Sequence, residues 1–206
     1  MATRFFSYVL TRDYGFAPNP FNGICTLATC KPKIRDAASV GDWVMGTSSA
    51  RHGKRSHLIY AMKVNDKISF NEYWNNPKYE TKKAVMNGSL KKMYGDNIYY
   101  NDGQNWIQAD SHHSLEDGSP NQLNVKKDTS VDAVLISYEF YYFGQQLLCL
   151  PDEILSYVVK KGPGHRCPDR RWGGKLLSYI ESGYDSMGYF SDPALFSRFE
   201  RYDGRS

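Results

Sequence analysis

Residues 4–11, RFFSYVLT, gather aromatic and β-branched side chains into one short run, which predicts a strand near the core. The stretch that follows, RDYGFAPNPFNGICTLATCKPK, is punctuated by Gly15, Pro18, Pro20, Gly23 and Pro32. These residues interrupt helix and strand alike and predict a long surface loop, the kind of segment that often carries a site. IRDAASVGDWVMGTSS then reads as a short helix, a turn at Gly41-Asp42 and a strand that opens into Gly46, Thr47, Ser48 and Ser49. SHLIYAMKV predicts the next strand, and ARHGKR between the two predicts a basic hairpin tip. Residues 70–94 carry helical spacing around Pro77 and Gly88, an inserted helical excursion whose Lys82, Lys83, Lys91 and Lys92 are expected to face water. VDAVLISYEFYYFG is the most strand-like run and is expected to be a sheet's central strand. The tail predicts three short helical segments, PDEILSYVVKK, GGKLLSYIESG and DPALFSRFERY.

A length of 206 residues is near the upper end of what one core supports, so a single domain over 1–206 is expected, with two small domains as the alternative. It would comprise a core over 4–150 with the 70–94 insertion and a helical extension over 151–206 packed on that core. With 41% hydrophobic and 15% aromatic residues the chain can bury a substantial core. A net charge of +4 permits contact with phosphate without marking a nucleic-acid binder. No apolar run reaches the roughly 20 residues that cross a bilayer, and the first residues lack the pattern of a secretion signal. Together with Cys25, Cys30, Cys149 and Cys167 as expected free thiols, these features predict a cytoplasmic protein without a membrane partner.

Several constellations bear on chemistry. Arg12, Asp13, Tyr14, Phe16, Asn19 and Phe21 combine rings that stack on a base, an amide that reads its edge and a guanidinium for phosphate. The same aromatics equally suit pinning a Pro-rich loop to the core. In WIQADSHHS, Trp106, Asp110, His112, His113 and Ser114 form a dense polar stretch. Adjacent histidines on regular backbone point apart, which disfavours a shared metal, so no metal and no cofactor is expected. General acid or base work by His112 or His113, with Asp13 or Asp110 as partner, competes with a plain polar loop. Cys25 and Cys30 stand too far apart for a zinc knuckle and read as structural. The loop KKGPGHRCPDRRWGGK, with Lys161, His165, Arg166, Arg170 and Arg171, offers phosphate contacts on a glycine-rich backbone but matches no nucleotide-binding fingerprint.

The order short helix, VGDWVMGTSS, hairpin, SHLIYAMKV and helical excursion resembles the EVE-like, ASCH-like and PUA-like group of small β-barrels. YVLTRDYGFAPNPFNGICTLATCKPKIR, VGDWVMGT, GDNIYY, WIQADSHHS and LISYEFYYFG together resemble the nucleotide modification associated domain, type 2, a bacterial and phage family, over most of residues 4–150. The first of these resemblances implies an α+β fold built on a PUA-like mixed barrel with inserted and C-terminal helices, and the second implies a role beside DNA base-modification or defence systems. The first functional expectation is therefore binding of a nucleotide, or of DNA containing a modified base, with the 12–21 loop, Ser48 and the 106–114 stretch as walls and the 160–175 loop on phosphate. The second is an enzyme acting on a nucleobase or nucleotide, and the third an RNA-binding PUA-like protein.

Overall fold

The structure is a computed structural model describing residues 2–53 and 56–204. The chain forms eleven described strands: β1 (Phe5–Leu10), β2 (Cys25–Leu27), β3 (Trp43–Ser48), β4 (Leu58–Lys63), β5 (Asp66–Ile68), β6 (Tyr99–Asn101), β7 (Trp106–Gln108), β8 (Val134–Ser137), β9 (Phe140–Tyr142), β10 (His165–Arg166) and β11 (Gly188–Tyr189). The α-helices are α1 (Pro32–Ala37), α2 (Phe70–Asn75), α3 (Leu90–Met93), α4 (Gln122–Asp128), α5 (Asp152–Val158) and α6 (Arg170–Gly183). They sort into two compact units, each assembled from three stretches of sequence. The first takes Met1–Asp13, Ala38–Asn65 and Ser137–Ala194, and the second takes Tyr14–Ala37, Asp66–Ile136 and Leu195–Ser206.

The first unit is built on a six-stranded sheet in the order β10-β1-β3-β4-β9-β11. The fold is mixed α+β, but the expected barrel is corrected: β10 and β11 stand at opposite edges of the sheet, and no sheet among the described residues closes on itself. Strands β1 and β3 pair in parallel and β3 with β4 antiparallel, so that Phe5, Trp43, Met45, Ala61 and Tyr141 share one face. On that face pack Ile154 and Val158 of α5 and Leu176 and Ile180 of α6. Apolar burial of this kind drives the layering. Gly173 brings α6 against β1, because a Cβ there would run into the Phe5 ring. On the opposite face Gly46 clears room for the Tyr60 ring, whose hydroxyl donates to Tyr8 Oη over 2.9 Å.

The second unit holds a three-stranded sheet, β2-β8-β5, a β6-β7 hairpin and the helices α1 to α4 around Phe16, Phe70, Tyr73, Tyr94, Tyr99 and Ile136. Helix α2 starts at a capping box in which Ser69 and Glu72 satisfy each other's backbone donors.

Three expectations are overturned. The run 131–144 is two strands in two sheets, since Asn65 Oδ1 accepts from Tyr138 N at 2.8 Å while Lys63 Nζ and Asn65 Nδ2 hold the Glu139 carboxylate, bending the chain between β8 and β9. Residues 192–202 form no helix, because their backbone donors are spent elsewhere: Glu200 N–H bonds Tyr94 Oη and Tyr202 N–H bonds the His112 carbonyl. Lys82 does not face water but is 1% exposed. Of the expected hairpin tip, Lys54, Arg55 and the Arg51 side chain lie outside the described residues, and a 3₁₀ turn, Ala50–His52, occupies the rest. No helix among the described residues is long and apolar enough to cross a membrane.

Candidate functional site

The polar stretch of the second unit folds inward. A turn closes over Ser111–Ser114, where Ser114 N–H bonds the Ser111 carbonyl at 3.0 Å and Ser111 N–H bonds Ser114 Oγ at 3.0 Å. On this turn the two imidazoles do not diverge: their centroids are 5.5 Å apart and both rings are buried. Turn backbone has replaced the regular alternation that would separate them.

His112 sits among rings. Tyr14 and Phe16 each lie 4.9 Å from it and Tyr94 5.3 Å, and its Nδ1–H donates to the Glu200 carbonyl. Tyr14 stacks on Tyr94 at 5.4 Å and donates to Glu200 Oε2, and Phe21 packs on Phe196. Asn19 bridges to Thr26 by backbone, while its amide donates to the Tyr94 carbonyl and accepts from Lys82. The Lys82 ammonium is ringed by Asn19 O, Asn19 Oδ1, Phe21 O and Ile24 O, which ties down the proline-rich loop. Burial pulls this lysine down to about 8, against the opposing pull of Asp96. Trp106 packs edge-on against Phe70 at 5.6 Å, Asp110 pairs with Arg201 at 2.6 Å, and Ser114 is buried in the turn.

His113 has different company. Its Nδ1–H donates to Asp128 Oδ2 at 2.8 Å, and its Nε2 lies 3.8 Å from Cys30 Sγ. Asp128, the last residue of α4, also accepts from Tyr99 Oη at 3.0 Å and from Cys30 N–H at 2.8 Å. The His113 carbonyl is held by Asn124 Nδ2 and Gln108 Nε2, so both ends of the residue are fixed. Arg35, fully buried, donates to the carbonyls of Cys30, Asp128, Val131 and Ala133. Burial opposes the charge on His113, yet Asp128 and Cys30 together outweigh it and lift the imidazole to about 9. Burial likewise opposes ionisation of Asp128, and His113 followed by Arg35 outweighs it, holding the carboxyl below its usual range. Among the described residues no three His, Cys, Asp or Glu are placed to hold a metal ion, and here the imidazole stands between thiol and carboxylate.

The first unit carries the remaining candidates. Asp13 is buried and accepts from Tyr142 Oη at 2.5 Å and from Ala194 N–H. Ser48 Oγ accepts from His57 N–H, and Arg12 is partly exposed. In the basic loop Lys161, Arg170 and Arg171 are exposed and His165 rests on Phe6, whereas Arg166 donates to the carbonyls of Ser156 and Val159 at the end of α5.

Within the second unit, then, Tyr14, Phe16, His112 and His113 come together, whereas Asp110 turns to Arg201 and Asp13 belongs to the first unit. Cys30, Asp128, Tyr99 and Arg35 were not singled out by sequence reasoning as partners of His113. Cys30 and His113 stand 83 positions apart, and no local motif joins them. All four cysteines are free thiols, with Cys30 partly exposed.

No curated protein and no solved structure matches this chain. The family described as nucleotide modification associated domain 2 matches residues 2–200. Since that match covers nearly the whole chain, the protein belongs to the nucleotide modification associated domain 2 family, and its role lies in the context of nucleotide modification.

Proposed function

We propose that the chain is an enzyme acting on a nucleobase or nucleotide, with His113 as the group that moves the proton and Asp128 as the group that orients it. One observation carries this reading: a fully enclosed imidazole is bonded to a carboxylate at Nδ1 and turns Nε2 toward the partly exposed Cys30. A carboxylate at Nδ1 fixes the ring tautomer and supports the imidazolium, the arrangement on which acid–base chemistry depends. The carboxylate is Asp128, in place of the Asp13 or Asp110 expected from sequence. The family context supports a nucleotide or DNA as the substrate class.

The competing reading is a module that binds a modified base without changing it. It draws support from Tyr14 and Trp106, the rings of the expected set that keep some exposed surface. Against it, Phe16 and His112 pack on each other, Phe21 packs on Phe196, and Asn19 is bonded to the Tyr94 carbonyl. For the basic loop, we propose that Lys161, Arg170 and Arg171 meet phosphate. The EVE-like and PUA-like likeness enters as that of a nucleotide-handling strand pair, β3 and β4 after the Gly41 turn, and not of a closed barrel.

The test is incubation of the purified chain with nucleotides and with DNA, followed by mass spectrometry of the nucleosides. A mass change made by the native chain and lost in His113→Asn supports the enzyme. Tight, reversible binding without any product, weakened by roughly 1–3 kcal/mol in Tyr14→Ala, supports the reader instead.

A further inference from the structure

Cys30 occupies an unusual place. Its φ is 57°, a left-handed conformation that a side chain rarely adopts, and Lys31 follows at 42°. The turn is clamped on both sides of the cysteine, by Asp128 on its N–H and by Arg35 Nε on its carbonyl. The Cys30 sulfur lies 3.8 Å from Nε2 of His113. Thr29 Oγ1, in the residue before Cys30, and Asn124 Oδ1, whose own Nδ2 holds the His113 carbonyl, are buried without a hydrogen-bond partner among the described residues. A buried acceptor or hydroxyl left open is costly in a finished core and is a place for a ligand's donors.

A thiol beside an imidazole that is itself bonded to a carboxylate is the arrangement of an activated nucleophile. We propose that Cys30 is the nucleophile of this site and that it adds, with the proton carried by His113, across the C5=C6 double bond of a pyrimidine ring. The proposal rests on the enzyme reading above and names its substrate class. Sγ bonds to C6, the π pair of C5=C6 moves onto C5 and into the conjugated ring, and the proton between Sγ and Nε2 passes to C5. The net change is addition of S–H across a double bond, with nothing oxidised, nothing reduced and no leaving group. Reversal returns thiol and base. A purine offers no equivalent bond outside its fused aromatic system, which is why the pyrimidine is chosen.

The addition leaves a trace even when no product accumulates: C5 of the adduct carries its original hydrogen beside one from solvent, and elimination with loss of the original one leaves the solvent hydrogen on C5. The native chain in deuterium oxide, given dCMP, dUMP and single- and double-stranded oligonucleotides, is expected to add one mass unit to a pyrimidine. Cys30→Ser is expected to lower that exchange by a factor on the order of 10² or more. A second measurement needs no variant: the rates at which iodoacetamide alkylates each cysteine of the native chain. Cys149 and Cys167 are exposed and Cys30 only partly so, which means that access alone orders the rates against Cys30. Faster alkylation of Cys30, with the advantage lost in His113→Asn, is expected. Alkylation of Cys30 no faster than that of Cys149 overturns the proposal, as does the absence of exchange on every pyrimidine offered. If Cys30→Ser still changes the base mass as the native chain does, the nucleophile falls and the acid–base reading stands. If the native chain neither exchanges nor modifies a base, both fall.

Discussion

At the scale of single residues, the groups that matter most are polar ones whose partners are remote in sequence. Lys82 sits in a run of lysines that reads as a solvated face, and nothing local announces that four oxygens of residues 19–24 await its ammonium. Lys82→Met would strand those acceptors, so a loss on the order of 3 kcal/mol is expected, visible as a lower denaturant midpoint at unchanged slope. The His113–Asp128 pair predicts a dependence on pH. His113 is raised in the folded state, so its contribution is complete below its unfolded value near 6.5 and fades as pH climbs to about 9. Asp128 is lowered, so its share is present above the usual carboxylate range and fades in acid. The stability gap between the native chain and His113→Asn should therefore be widest near pH 6 and narrow toward pH 9.5 in denaturation curves. A gap that stays constant over that range would show that the pair is uncharged. Tyr14, Phe16 and both histidines were legible as candidates from residue type, but their packing on one another was not.

Secondary-structure elements were legible where hydrophobic pattern decides them and illegible where a side chain overrides it. Strands β1, β3 and β4 follow from their apolar runs, and Trp43 is core as its strand position implies. The break between β8 and β9 depends on Asn65, more than seventy positions away, and the loss of the last expected helix depends on Tyr94 and His112 capturing its backbone. Helix α6 touches β1 through Gly173, and in Gly173→Ala the new methyl would meet the Phe5 ring. An overpacking cost of about 1–3 kcal/mol follows, measurable by thermal or chemical unfolding. At the start of the same helix, Arg170 and Arg171 are exposed. If they meet DNA phosphates, replacing both with Ala should flatten the salt dependence of binding by about 0.9 in the log–log slope for each phosphate that is no longer neutralised. An unchanged slope would remove this loop from the interface.

For the molecule as a whole, three sequence stretches feed each unit, and no linker or composition shift marks the crossings at residues 13, 37, 65, 136 and 194. Sequence order therefore hides which residues share a core: Asp13 and Tyr14 are neighbours in the chain but members of different units. Cys30, His113 and Asp128 come from three separate places in the chain and are members of one unit. Family membership supplies the nucleotide context, and the imidazole between thiol and carboxylate carries the chemistry proposed within it. The most direct measurement is the rate of base change at saturating substrate, by mass spectrometry, for the native chain and for His113→Asn and Asp128→Asn. A fall on the order of 10² to 10⁴ in kcat for His113→Asn, with KM nearly unchanged and a smaller fall for Asp128→Asn, is the predicted result. A His113→Asn chain that is folded and turns over at the native rate would contradict it.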